Sequence, residues 1–347
     1  MNNRFDPSTF IRETTDQIWN RKNVGELYSR AVANVAVHGP SGREQYGREE
    51  LMTGVIAWLA AFPDTQVDIE DVIWGGDDEG GYSISVRRTL TGRNLNTSVF
   101  GPATGAEVSV RSLAHYAVFD GMIREVWHEF DEVGLIRQLG FDLFEVIRRV
   151  EQQEIGVDPG AFESSTLVVG EIERTPGQLP PAELSVPSSH FAPTELVRRA
   201  VHEIWNWRLV GKVDDYCANN FTSHLSGKQM TGREEFSAYV LAQLATFPDL
   251  GIHLDQIIAN GDDGRKGYHI ATRWTMQGTH LGPGDYGPPT GKRVRLNGIS
   301  QHRIWRSQFV EEWSEVGEFG LLREIAQRPV EDEIDQPADL PIFDSPQ

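Results

Sequence analysis

The chain repeats itself, and that repeat limits what it can fold into more than any other feature. Ile18-Trp19-Asn20 returns as Ile204-Trp205-Asn206, 186 positions later, and His38 returns as His224 at the same spacing. Gly47-Arg48-Glu49-Glu50 returns as Gly232-Arg233-Glu234-Glu235, and Phe62-Pro63-Asp64 as Phe247-Pro248-Asp249, both after 185 positions. Gly76-Asp77-Asp78 returns as Gly261-Asp262-Asp263. The spacing of 186 is regained at Tyr82 and Tyr268, and kept by Thr104-Gly105 with Thr290-Gly291, Trp127 with Trp313, and Gly134-Leu135 with Gly320-Leu321. Matches in one order, within one residue of register, mean a duplication. Solenoid modules recur every ~20–50 residues, so a period this long demands two whole domains. The expected units are 6–150 and 191–328. Between them, 151–190 reads as a linker rich in Pro, Ser, Gly and Glu, with 165–172 as a short edge strand. The tail 329–347 carries acids and no Lys or Arg, and reads as a solvated terminus.

Each unit has the same coarse pattern. Phe10, Ile11, Thr14, Ile18 and Trp19 are spaced as one face of a helix. A short second helix is expected over 25–32, and a third over 48–61 with Leu51, Val55, Ile56, Trp58 and Leu59 as its apolar stripe. Phe62-Pro63 ends it, because proline disfavours the helical region at the preceding residue. Strands are expected over 66–74, 81–91, 108–119 and 122–131, the last two joined by the hairpin signal Asp120-Gly121. A short helix over 133–139 stops at Gly140. Helices first and an antiparallel sheet afterwards give an α+β domain, a curved sheet wrapped around a long helix with an apolar interior.

Composition narrows the function. The net charge of −19 would repel nucleic-acid phosphate and anionic membrane surfaces. Cys217 is the only cysteine, so neither a disulfide framework nor a cysteine-based zinc site can form, and its counterpart Ala31 marks it as a packing thiol. No uncharged apolar run approaches the ~18 residues of a membrane span, and the first residues have no apolar core like a signal peptide. The expectation is a soluble, cytoplasmic protein without a nucleic-acid or membrane partner.

Residues able to carry chemistry gather on the last hairpin. A two-residue turn at Asp120-Gly121 places Ile123, Glu125, Trp127, Glu129 and Asp131 on one face, with Val118, Tyr116, Ala114 and Ser112 opposite. An acid beside apolar rings is desolvated, which raises its pKa and suits it to acid/base work. The alternative is an outward acidic face with one tryptophan covering a neighbour. The same face of the second unit holds Phe309, Glu311, Trp313, Glu315 and Gly317, with His302 in the place of Tyr116. Gly317 replaces Asp131, so the two units cannot use that carboxylate alike. His38 and His224 recur beyond the second helix, where an imidazole could shuttle protons near neutral pH. His115 and His128 fall on the face away from Asp131, so no zinc set assembles and no metal is expected. No Gly-x-Gly-x-x-Gly, Walker or Gly-x-Ser-x-Gly pattern appears in the expected context.

The ordered set Ile18-Trp19-Asn20, His38, Gly47-Arg48-Glu49-Glu50, Phe62-Pro63-Asp64, Trp127, Asp131 and Gly134-Leu135-Ile136-Arg137-Gln138-Leu139-Gly140 resembles a known family. It is similar to the SnoaL-like polyketide cyclases, or ester cyclases, of the nuclear transport factor 2-like (NTF2-like) superfamily, over nearly the whole of each repeat. The resemblance implies two tandem cone-shaped α+β barrels, each with a deep pocket, and cofactor-free acid/base chemistry on a small hydrophobic carbonyl compound. By its place after Trp127, Asp131 matches the family's carboxylate acid/base. His38, Tyr116 and Glu129 are the accompanying catalytic candidates. Trp19, Trp58, Trp127, His224, His302, Trp313 and Glu315 are the candidates for substrate binding.

Three readings follow: an aldol-type cyclase or related lyase or isomerase; a ligand-binding module without turnover; and a hydrolase or dehydratase using Glu129 and Glu315. Domains of this superfamily commonly pair through the outer sheet face, so the resemblance also implies a pseudo-dimer within one chain. Further homodimerisation stays open.

Overall fold

The computed structural model describes residues 5–154, 191–262 and 267–326. The expected edge strand at 165–172 and the acidic tail lie outside the described residues. In the first repeat, helix α1 (Pro7–Thr15) is capped by Asp6, whose carboxylate accepts from the Ser8 amide at 3.0 Å and the Thr9 amide at 3.3 Å. It runs into a π-helical turn, Asp16–Asn20, that contains Trp19. Short α2 (Leu27–Arg30) leads into β1 (Ala31–His38) and β2 (Glu44–Tyr46), then α3 (Arg48–Ala61). Long strands follow: β3 (Gln66–Asp77), β4 (Gly81–Arg93), β5 (Glu107–Phe119) and β6 (Met122–Phe130). Helices α4 (Glu132–Gln138) and α5 (Leu143–Glu154) close the unit.

The second repeat has the same plan. It contains α6 (Pro193–Ala200), a π-helical turn at Val201–Asn206, α7 (Val213–Tyr216), β7 (Cys217–Leu225), β8 (Lys228–Thr231) and α8 (Arg233–Thr246). Strands β9 (Gly251–Gly261), β10 (Tyr268–Thr279), β11 (Arg293–Trp305) and β12 (Gln308–Val316) precede α9 (Glu318–Ala326). The sheet orders are β2-β1-β6-β5-β4-β3 and β8-β7-β12-β11-β10-β9. Every pair is antiparallel except β1–β6 and β7–β12, which are parallel. Sequence reading missed β1 and β2 and carried the second helix through Val32. The Ala-rich run 31–38 becomes a strand because β6 supplies a neighbour that lies far away in sequence.

The repeated motifs are mechanical. The Asn20 side chain accepts from the Val67 amide at 2.8 Å and donates to its carbonyl at 3.2 Å, strapping the π-helical turn to β3. Asn206 does the same to Ile252, at 2.7 and 2.9 Å. Gly47 and Gly232 start α3 and α8 at φ of 102° and 88°, a region that disfavours side chains with a Cβ. The arginines beside them donate to carbonyls where the second helix meets the sheet, Arg48 to Ala31 and Arg233 to Cys217. Asp64 and Asp249 accept the Arg93 and Thr279 amides at 2.7 and 2.6 Å, fixing the ends of β4 and β10. Cys217 is buried, and burial pushes its thiol up to about 12, in keeping with a packing role.

The outer sheet faces of the two repeats lie against each other. The Arg87 guanidinium sits 3.4 Å from the Trp313 ring centre, and Arg273 sits 4.1 Å from that of Trp127. The Trp127 ring stacks on His38 at 5.0 Å and Trp313 on His224 at 5.4 Å. His269 meets Asp71 at 2.9 Å, Gln301 donates to Ser85 at 3.1 Å, and Arg111 reaches Glu315 and the His224 carbonyl. A double-mutant cycle with Arg87→Ala and Trp313→Leu, read by urea unfolding, is expected to give a coupling of about 0.5–2 kcal/mol. Strict additivity would mean that this contact contributes nothing to holding the repeats together.

Candidate active site

A β-bulge decides what faces inward. Along β5 and β6, Val118 pairs with Ile123, but Ala117 pairs with Glu125, so Arg124 is an extra residue. From there on Tyr116 opposes Val126, His115 opposes Trp127, and Ala114 opposes His128. The simple hairpin register is therefore corrected: Tyr116 shares its face with Val126, His128 and Phe130, and Trp127 and Glu129 go to the other side. Val310 is the extra residue in β12, where Arg303 pairs with Glu311 and Ile304 with Phe309.

The concave face of the first repeat encloses a cavity of about 770 Å³. Trp19, Trp58, Phe62, Val126 and Phe130 give it an apolar wall, and Arg43, Arg88, Tyr116 and His128 bring polar groups to it. Arg88 donates to the Tyr116 phenol oxygen at 3.3 Å, which leaves the phenol hydrogen for another acceptor. Burial first, and then the Arg88 and Arg43 cations, push the His128 imidazole down to about 3. His128 is thus an uncharged imidazole facing the cavity, and a weaker proton acceptor than a free one. Arg43 is itself paired with Glu132.

The second repeat encloses a cavity of only about 150 Å³. Tyr239 stands where the first repeat has Gly54, and Trp274 where it has Arg88, so two rings fill the space. Ser314 replaces His128. His302 replaces Tyr116 and lies 3.2 Å from both Glu312 and the Thr272 hydroxyl. Burial works to raise the Glu312 pKa, but His302, Ser314 and Ser223 outweigh it and hold this carboxyl below its ordinary range. This imidazole is held by its neighbours, unlike His128.

The sequence-selected residues divide accordingly. Trp19, Trp58 and Tyr116 line the larger cavity, and His302 lines the smaller. Asp131, Glu129, His38, Trp127, His224, Trp313 and Glu315 line neither. Asp131 is the N-cap of α4, accepting the Gly134 amide at 2.6 Å near Gly227 of the second repeat. Gly317 takes its place in the second repeat because Ser41 of the first packs there; a Cβ on Gly317 would lie 3.2 Å from the Ser41 backbone. His38 bonds Glu44 at 2.6 Å and Glu125 at 2.7 Å. Burial opposes its charge, but those two carboxylates prevail and raise its pKa. His224 meets Glu311 at 3.1 Å. His128 was placed by sequence on the wrong face, and Arg88 went unnoticed inside a strand. The available signal was the spacing of Val126 and Phe130 about His128, with Glu125 and Glu129 opposed to them. Among the described residues no group of His, Cys, Asp and Glu is arranged to hold a metal ion, and no helix is long and apolar enough to cross a membrane.

Glu129 and Glu315 are buried between the repeats. Burial, then Glu132, drives the Glu129 pKa well above the ordinary carboxylate value, and burial raises Glu315 to about 7. A raised folded-state pKa favours folding while the acid is protonated, and that benefit is lost as pH rises through the raised value. Glu129→Gln is therefore expected to flatten the stability profile above pH 5, by a slope of up to about 1.4 kcal/mol per pH unit. Urea titrations from pH 5 to 8 test this; parallel profiles for variant and wild type would contradict it.

Comparison with known proteins follows the repeat. The family model of the SnoaL-like polyketide cyclases matches residues 9–139 and again 195–325. No curated protein matches. Among solved structures, a Jannaschia sp. CCS1 protein described as a SnoaL-like polyketide cyclase is 18% identical, covering 41% of this chain and 100% of its own, with a TM-score of 0.36. TsrD from Streptomyces laurentii is 22% identical, covering 39% and 98%, with a TM-score of 0.34. A SnoaL-like polyketide cyclase from Agrobacterium tumefaciens is 21% identical, covering 38% and 95%, with a TM-score of 0.32. With the family model matched in both halves, this chain belongs to the SnoaL-like polyketide cyclase family as a tandem duplication of its domain.

Proposed function

We propose that the first repeat is the catalytic unit, carrying out cofactor-free acid/base chemistry of the cyclase type on a small hydrophobic carbonyl compound. The observation that carries this reading is His128, a neutral imidazole opening into a large apolar cavity beside the Arg88–Tyr116 pair. His128 removes a proton from the carbon next to the carbonyl. Tyr116, polarised by Arg88, hydrogen-bonds the enolate oxygen that develops and keeps its own proton. The enolate carbon then attacks a second carbonyl of the same molecule, and the proton held on His128 returns to the new alkoxide. The apolar wall keeps competing water away from the enolate. This assignment replaces Asp131 and His38 as the acid/base groups: Asp131 caps α4 and His38 is bonded to Glu44 and Glu125, and neither lines the cavity.

The second repeat supports a different role, that of a small pocket or scaffold. Its imidazole is held by Glu312 and Thr272, and Tyr239 and Trp274 occupy most of the space. The back-to-back packing of the two sheets supports reading the chain as a pseudo-dimer with units near 6–150 and 191–328.

The test is proton exchange. Incubated with 2-tetralone in D2O and followed by NMR, the protein is expected to accelerate deuterium uptake at the α carbon over buffer. His128→Gln should slow the catalysed exchange by about 100-fold or more, and Tyr116→Phe by about 100-fold. Because His128 stays neutral above about pH 3, its protonation should cause no loss of rate between pH 5 and 8. Exchange that survives His128→Gln unchanged would remove this residue from the mechanism.

A further inference from the structure

Among the described residues, Arg88 is a buried cation without a counter-ion. Only 6% of the residue is exposed, and its Nε has no hydrogen-bond partner. Its contacts among the described residues are the Tyr116 hydroxyl at 3.3 Å and the Trp19 ring at 5.8 Å, and neither carries negative charge. A buried charge in an apolar setting is costly unless something pairs with it. Other buried or cavity arginines have their partners: Arg87 meets Glu70 at 3.1 Å, and Arg43 meets Glu132. Nor does the fold need a cation at this place. In the second repeat the same position is Trp274, whose indole nitrogen donates to Ser300 at 2.9 Å.

We propose that the first cavity takes a ligand bearing an acid group, a carboxylate on a flat apolar body, and that Arg88 supplies the missing half of that ion pair. The inference rests on the first cavity being the ligand chamber and deepens that reading by naming the substrate class. A guanidinium offers a planar donor set that matches a carboxylate and strengthens the bond through charge. One unpaired cation suits one negative charge; a phosphate dianion would need a second, and Arg43 is already committed to Glu132. The wall formed by Trp19, Trp58, Phe62 and Phe130 suits a fused-ring body, and about 770 Å³ lies within the usual range for small-molecule pockets. An anion on Arg88 also offsets part of the positive field acting on His128, and so makes that imidazole a stronger base when substrate is bound.

The experiment compares anthracene-2-carboxylate with anthracene-2-carboxamide, two fluorescent probes of nearly the same shape that differ in charge. Fluorescence titration of the full chain at pH 7 is expected to show the carboxylate binding at least about tenfold more tightly. Arg88→Met should abolish the difference, and Arg88→Lys should keep part of it. His128→Gln should keep all of it, because that variant removes the base and not the charge. Equal affinity of the two probes for wild type, binding of neither, or a preference that survives Arg88→Met would overturn the proposal. The wild-type comparison decides even if Arg88→Met fails to fold. Since 2-tetralone is neutral, its exchange reports on His128 separately: lost exchange with a retained acid preference removes the mechanism alone, and the reverse removes the acid-binding role alone.

Discussion

Two guanidinium groups lying on two tryptophan rings hold the sheets of this protein back to back. Arg87 reaches from the first repeat to Trp313, and Arg273 from the second to Trp127. Cation–π contact gains strength where water is excluded, and both arginines lose part of their hydration to burial, the first cause holding each pKa below its ordinary value. Each tryptophan also carries a histidine of its own repeat, and each histidine is tied to a carboxylate. The result is a polar outer layer that recurs in both repeats. It engages Trp127, His38, Trp313 and His224, none of which lines either cavity.

Duplication allowed the two units to diverge in a specific way. Their straps, helix starts and sheet orders are the same, because Asn20 and Asn206, Gly47 and Gly232, and Asp64 and Asp249 each do the same structural work. The contact between the repeats is less symmetric. Ser41 donates its hydroxyl to Glu132 and accepts the Gly320 amide at 2.9 Å, an approach that requires glycine on the second-repeat side. Arg111 serves Glu315, while the corresponding position in the second repeat is Asn297 and supplies no charge for Glu129. Of the two central acids, Glu315 is thus paired with a cation across the contact, while Glu129 feels only Arg43, which is itself paired with Glu132.

The interiors differ most. Gly54 and Arg88 in one unit correspond to Tyr239 and Trp274 in the other, and the larger rings shrink the second cavity. The same two exchanges also remove the unpaired cation. Space and charge thus go together: the roomier chamber keeps the arginine, the free imidazole and the phenol, and the narrower one keeps a histidine already satisfied by its neighbours.

The sequence by itself determined the duplication, the α+β class and the family, since motif order and spacing survive any detail of packing. It also located the long strands and the helix that ends at Phe62-Pro63. It did not determine which side of the last strand faces inward. A strand alternates every residue, so the extra Arg124 reverses every side chain beyond it; the residues at the turn do not mark one of their number as extra, and the only local signal is the apolar spacing of Val126 and Phe130 about His128. That reversal moved Trp127 and Glu129 outward and His128 inward. Asp131 carried a second ambiguity, since an acid ahead of a helix serves equally well as a cap or as a catalytic group; in the structure it caps α4, accepting the Gly134 amide at 2.6 Å, and does not line the cavity. Arg88 was invisible for a related reason. An arginine in a strand normally reaches solvent, and only the curvature that closes the sheet over α1 and α3 encloses this one without a counter-ion among the described residues.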